Sequence, residues 1–122
     1  MQDIPGSRSL SVLIVEDHPP CAQLMRIALS EAGHKVSLAR TMGAALFELA
    51  GNEFDAIFCD LLLPDGHGYD IIRVVREKSR SPFAVAVSGL PRERCEREAI
   101  EAGFDKFLAK PFLPNNLAAL LR

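Results

Sequence analysis

The chain contains no tryptophan, a single tyrosine and three cysteines, and it carries no excess of basic residues. Cys21, Cys59 and Cys95 are an odd number at wide spacing, with no CxxC pair and no Cys/His pattern of zinc spacing. A disulfide framework and a structural zinc site are therefore not indicated. Buried thiols in a reducing cytoplasm are the expectation, clearest for Cys59 inside an apolar run, with a redox role as the alternative. The formal net charge of −2 lacks the basic footprint of a nucleic-acid-binding surface. No apolar run approaches the length of a membrane span, so no membrane contact is expected of this domain. Residues 1–8 read as a polar leader with Pro5 and Gly6, without the apolar centre of a signal peptide. No glycine-rich loop precedes a helix, which argues against a P-loop or a dinucleotide fold.

What is present is ordinary in amount and regular in arrangement. The 122 residues suffice for one domain, which would bury about two-thirds of the surface of its unfolded chain. Leu10 to Val15 is an apolar run that stops at Glu16-Asp17. Pro19-Pro20 suits the first turn of a helix whose apolar stripe is Cys21, Leu24, Met25, Ala28 and Leu29, with Gly33 at its end. Lys35 to Ala39 is a short second strand, and Thr41 can cap a helix through Ala50 that Gly51-Asn52 stops. Phe54 to Cys59 is a third strand, closed abruptly by Asp60 and followed by a turn from Pro64 to Gly68. Tyr69 to Lys78 is amphipathic with a basic end. Phe83 to Val87 is a fourth strand ending at Ser88-Gly89. After Pro91 comes a helix crowded with Arg and Glu, whose inner face is Cys95, Ala99 and Ala102 and whose charges suit i,i+4 pairs on a solvated face. Phe104 to Ala109 is the fifth strand, stopping at Lys110-Pro111, and Pro114 to Arg122 is a last helix. This alternation predicts a single α/β domain of the (βα)5, doubly wound kind, with a parallel sheet buried on both faces.

Ligands in such sheets bind at the carboxyl ends of the strands. There the sequence places Glu16 and Asp17, Asp60, Ser88 and Lys110. Each has a plain alternative: Asp17 as a helix cap, Ser88-Gly89 as a turn, Lys110 as a solvated loop charge. Their convergence at one edge is the stronger observation. Three packed carboxylates repel unless a cation neutralises them, and an all-oxygen set suits Mg²⁺ or Mn²⁺. A lysine and a hydroxyl beside them offer positive charge and a donor to phosphoryl oxygens, and the Asp60 carboxylate can itself be a nucleophile. A dehalogenase-type phosphatase is disfavoured because Leu62, two residues after Asp60, cannot act as acid or base.

With these residues placed, the chain from about Ser9 to Arg122 resembles a receiver domain of two-component signalling. The resemblance is carried by Val12 to Asp17, Asp60-Leu61-Leu62-Leu63-Pro64-Asp65 with Gly68, Val87-Ser88-Gly89, and Ala102-Gly103-Phe104 through Lys110-Pro111-Phe112. It implies a flavodoxin-like fold with strand order 2-1-3-4-5. It implies that Asp60 is the phosphoacceptor, served by a partner phosphohistidine on a histidine kinase or a histidine phosphotransfer protein. Asp17, Asp60 and the Leu62 backbone carbonyl would ligate Mg²⁺ (or Mn²⁺), with Glu16 acting through water. Lys110 would pair with the phosphoryl oxygens, and the Lys110-Pro111 bond would be cis. Ser88 and Phe107 would form the switch, rearranging the surface of strand 4, helix 4, strand 5 and helix 5. The helix 4, strand 5 and helix 5 face would serve a homodimer or an output domain.

Departures from the family pattern carry expectations of their own. Phe107 lacks the hydroxyl of the commoner Tyr, which removes a switch that hydrogen-bonds through its aromatic residue. Leu62 and Leu90 are apolar where many relatives are polar, which would exclude or misplace attacking water and slow dephosphorylation. His18 and His67 are expected as exposed loop residues, with a metal or proton-transfer role near the pocket as the alternative. The expected role is a cytoplasmic signalling switch without turnover on a free substrate, either cut from a hybrid sensor histidine kinase or part of a response regulator. The alternative is a receiver-like interaction scaffold that is not phosphorylated.

Overall fold

A computed structural model describes residues 9–78 and 81–122. The proposed leader, residues 1–8, lies outside the described residues. The elements follow in the order β1 (Ser11–Val15), α1 (Pro19–Glu31), β2 (Lys35–Ala39), α2 (Met42–Gly51), β3 (Ala56–Asp60), β4 (Leu62–Leu63), β5 (Gly66–His67), α3 (Gly68–Arg76), β6 (Phe83–Ser88), α4 (Arg92–Ala102), β7 (Lys106–Ala109) and α5 (Pro114–Ala119).

The main sheet is parallel throughout, in the order β2-β1-β3-β6-β7. Because β6 and β7 are the fourth and fifth long strands, this is the expected order 2-1-3-4-5. Alternate residues of each strand serve two separate cores, as strand pleating requires. Leu13, Val15, Ile57, Cys59, Ala84 and Ala86 face one way, onto Ala45 and Leu49 of α2, Ile71, Ile72 and Val75 of α3, and Ala99 of α4. Val12, Ile14, Ala56, Phe58, Val85 and Val87 face the other way, onto Met25, Ala28 and Leu29 of α1 and Leu117 of α5. All the residues of β3 are buried, which explains why it reads as an unbroken apolar run. Cys59 is fully buried there, and burial raises its thiol pKa far above the ordinary range.

The helix boundaries have local causes. Thr41 caps α2 by accepting from Ala44 N at 3.0 Å. Gly103, at φ +126°, closes α4 in a conformation that side chains disfavour. The charges of α4 pair along its outer face, Arg92 with Glu96 at 3.0 Å and Arg97 with Glu101 at 3.3 Å.

Four expectations are corrected. The segment from Pro64 to Gly68 is more than a turn: Leu62 pairs with His67 and Leu63 with Gly66 in a small antiparallel hairpin. The last helix ends at Ala119 rather than Arg122, because the chain tightens into i→i−3 hydrogen bonds from Leu120 and Leu121. Leu24 lies at the margin of the α1 stripe and is 38% exposed instead of buried. His67 is no loose loop residue: it is half-buried and caps α3, its Nδ1 accepting from Tyr69 N at 3.2 Å while Asp70 Oδ2 accepts from its N–H at 3.4 Å.

Candidate functional site

The chain reverses its direction of winding between β1 and β3, and the crevice at their carboxyl ends is where this fold exposes a site. Glu16 follows β1 directly, tied by its N–H to Ala39 O of β2 at 3.0 Å, and it is completely buried. Asp17 is the next residue and exposed. Asp60 closes β3 opposite Val87 of β6 and is 7% exposed. Carboxylate oxygens of Glu16, Asp17 and Asp60 lie within 4.8 Å of one another.

Lys110 comes to this cluster from the far side. Its N–H donates to Ser88 O at 2.8 Å, which continues the β6–β7 ladder and fixes the backbone just before the cis Lys110-Pro111 bond. Its ammonium lies 2.7 Å from Glu16 Oε1 and 2.9 Å from Asp60 Oδ2. Asp60 Oδ1 accepts from Leu62 N at 3.0 Å, and Glu16 Oε2 accepts from His18 N at 3.1 Å. A buried carboxylate is unfavourable unless paired, and one ammonium serves two here.

Electrostatics follow from this crowding. Burial raises the Glu16 pKa, opposed by the paired Lys110 ammonium and reinforced by the nearby Asp60 charge. Burial alone would lower the Lys110 pKa, but its ion pair with Glu16 and its hydrogen bond to Asp60 outweigh that and raise it, keeping the ammonium charged. Cys21, on the adjacent face of α1, is pushed up to about 11 by burial and by the Glu16 charge.

The donor set fits a hard divalent cation. Three carboxylates face a single ammonium, and Glu16 Oε1, though ion-paired with Lys110, accepts no aligned hydrogen bond in its buried position. Oxygen donors short of positive charge are what Mg²⁺ or Mn²⁺ takes.

Of the remaining candidates, Ser88, Phe107, Leu62 and Leu90 lie on β4, β6 and β7 or just after them. Ser88 is 1% exposed, and its Oγ accepts from Leu90 N at 3.0 Å. Phe107 is buried at 5% exposure, with the Arg92 guanidinium 5.4 Å from its ring centroid. Leu62 and Leu90 are 53% and 38% exposed. His18 is exposed as expected and joins Pro20, Cys21, Leu24, Lys110 and Phe112 around an open groove of about 460 Å³ beside the cluster. Sequence reasoning missed Asp65, whose carboxylate engages the start of α2, because its partners are backbone groups without any side-chain signature.

A doubly wound parallel sheet that gathers three carboxylates and a lysine at its reversal point defines a receiver. The chain belongs to the response regulator receiver domain family, whose profile matches residues 12–122. It is similar to the KDP operon transcriptional regulatory protein KdpE of Escherichia coli K12, at 40% identity over 112 residues, covering 92% of this chain and 49% of that protein. It is also similar to the transcriptional regulatory protein CusR of the same organism, at 32% identity over 114 residues, covering 93% and 50%. The chain thus spans about half the length of these curated relatives. Among solved structures, a CheY-like receiver domain from Methylobacillus flagellatus superposes with a TM-score of 0.83 at 30% identity, covering 93% of this chain and 97% of that one. The chemotaxis response regulator CheY4 of Vibrio cholerae gives 0.86 at 26% identity, covering 93% and 97%. Both curated relatives are transcriptional regulators, so they lend no support to the hybrid-kinase expectation. Among the described residues no helix is long and apolar enough to cross a membrane.

Proposed function

We propose that the chain is a phosphorylation-controlled switch in which Asp60 accepts a phosphoryl group from a partner phosphohistidine. One carboxylate oxygen of Asp60 attacks the phosphorus as the P–N bond of a phosphohistidine protonated on its other ring nitrogen breaks; the electron pair stays on the leaving nitrogen, which gives a neutral imidazole on the partner and an acyl phosphate on Asp60. The single observation that carries this reading is the Lys110 ammonium, 2.7 Å from Glu16 and 2.9 Å from Asp60 inside a cluster of three carboxylates. That charge is placed to follow the oxygens of a group added to Asp60. Mg²⁺ or Mn²⁺, held by Asp17, Asp60 and the Leu62 carbonyl with Glu16 through water, would neutralise carboxylate and phosphoryl charge.

Ser88 gives up its bond with Leu90 N to donate to the new phosphoryl oxygens. The motion of the β6–α4 loop then alters the packing of Phe107 under Arg92, which biases the β6, α4, β7 and α5 surface between two states. The partner is a histidine kinase or a histidine phosphotransfer protein, and the α4, β7 and α5 face serves a homodimer or an output domain. The domain itself touches neither nucleic acid nor membrane, works in the cytoplasm, and catalyses only its own phosphorylation and dephosphorylation.

The test is intact mass after incubation with acetyl phosphate, with and without Mg²⁺, for wild type and Asp60→Asn. A Mg²⁺-dependent gain of one phosphoryl group that the variant lacks supports the switch. No gain with acetyl phosphate or with a cognate phosphohistidine protein would instead favour an interaction scaffold.

A further inference from the structure

Asp65 sits at the turn of the β4–β5 hairpin, and phosphoryl chemistry on Asp60 requires no acid there. Its carboxylate reaches across to the first turn of α2, where Oδ1 accepts from Met42 N at 2.7 Å and Oδ2 from Gly43 N at 3.0 Å. Those donors have no acceptor within their own helix, and a negative charge there also opposes the positive end of the helix dipole. The contact lowers the Asp65 pKa, chiefly through the Gly43 and Met42 N–H groups. Gly66 also lies close to Met42, since a Cβ at that position would fall 2.5 Å from Met42 Sδ. A larger residue there would have to push the flexible end of the Met42 side chain aside.

The hairpin is too small to hold itself. It has two paired positions, Leu62 with His67 and Leu63 with Gly66, and isolated two-stranded ribbons are marginal even when longer. Yet it carries Leu62, whose N–H donates to Asp60 Oδ1 and whose carbonyl belongs to the proposed cation site.

We infer that Asp65 is a positioning residue for the cation site, fixing the hairpin against α2 so that the Leu62 backbone is held in register with Asp60. This rests on the reading of Glu16, Asp17, Asp60 and Leu62 as a Mg²⁺ site. By linkage, binding of the cation and docking of the hairpin on α2 favour each other, so the amides of Met42 and Gly43 report on a cation that they never touch.

The experiment is a Mg²⁺ titration followed by amide NMR on the ¹⁵N-labelled chain, for wild type, Asp65→Ala, Asp65→Asn and Asp60→Asn, with acetyl phosphate uptake measured alongside. In wild type, Mg²⁺ shifts the Met42 and Gly43 amides and slows their exchange with solvent. In Asp65→Ala that response disappears and the Mg²⁺ half-saturation point rises about tenfold, the lower end of what supporting residues around a metal contribute. At saturating Mg²⁺ its uptake rate returns to within about twofold of wild type, because the chemistry itself is intact. Asp65→Asn, which keeps one acceptor oxygen, falls between the two. Wild-type Mg²⁺ affinity in Asp65→Ala overturns the inference, and so does an uptake defect that saturating Mg²⁺ leaves in place. If wild type shows no Mg²⁺ response that Asp60→Asn abolishes, the cation site falls first and the inference falls with it, an outcome distinct from either of the others.

Discussion

The N–H of Leu62 donates to Asp60 Oδ1 at 3.0 Å, and Leu62 as a whole is 53% exposed. The backbone of Leu62 thus holds the carboxylate of the proposed acyl phosphate, while its side chain has only hydrocarbon to offer a water. Leu90, joined to Ser88 Oγ through its own N–H, is a second exposed apolar residue.

Hydrolysis of the acyl phosphate needs a water in line with the phosphorus, and neither leucine can hydrogen-bond that water. Leu62→Asn supplies a donor and an acceptor at the same position. The expected result is an aspartyl phosphate that decays faster than wild type by about tenfold, equivalent to roughly 1.4 kcal/mol of barrier. The measurement is loss of the phosphorylated mass with time after removal of acetyl phosphate. A wild-type lifetime equal to or shorter than that of the variant would remove the role assigned to Leu62.

At the other end of the sheet, Arg76 ties three segments together. Its guanidinium donates to Gly103 O and Pro82 O, each at 2.8 Å, to Asp105 Oδ2 at 2.9 Å, and to Ser81 Oγ. Asp105 Oδ2 in turn accepts from Ala84 N at 2.8 Å. With the Arg76 side chain 27% exposed, its loss leaves part-buried carbonyls without a donor. Arg76→Ala is expected to destabilise the fold by about 2 kcal/mol. Asp105→Asn should cost less, about 0.5 kcal/mol, since the ion pair is partly solvated and the amide oxygen still accepts from Ala84 N. Urea denaturation of the two variants checks both values. Equal losses would mean that the ion pair, and not the carbonyl contacts, carries the effect.

The features that sequence revealed and those it hid differ in physical kind. Strands buried on both faces read as continuous apolar runs, so β1, β3 and β6 were legible, and each stopped at the polar residue that became part of the site. Glu16, Asp60 and Lys110 were legible together because a parallel sheet sends every strand end to one edge. The β4–β5 hairpin was not, since two-residue strands carry no periodicity. The Asp65 contact was hidden for another reason: it joins residues 22 and 23 positions apart through backbone N–H groups that any residue supplies. His67 reads from sequence as an exposed loop residue because histidine is an uncommon cap, although Asp70 three positions later is the available signal.

His34 makes stability depend on pH in a direction that geometry decides. Its Nδ1 accepts from Leu10 N at 3.1 Å, which requires that nitrogen to be unprotonated, and burial lowers its pKa below the ordinary 6.5. As the pH falls through 6.5, the unfolded chain takes up the proton before the folded one, so unfolding gains a proton and stability declines. The loss is complete once the pH is below the folded value, and above about pH 7.5 the residue contributes no slope. Because a single group is involved, the slope attributable to His34 is at most about 1.4 kcal/mol per pH unit. His34→Gln keeps an acceptor for Leu10 N and removes the titration. Urea denaturation between pH 7.5 and 5.5 should therefore show a steeper loss in wild type than in His34→Gln, with the two slopes converging at the upper end. Parallel curves across that window would mean that the Leu10 contact does not discriminate between the protonation states of His34.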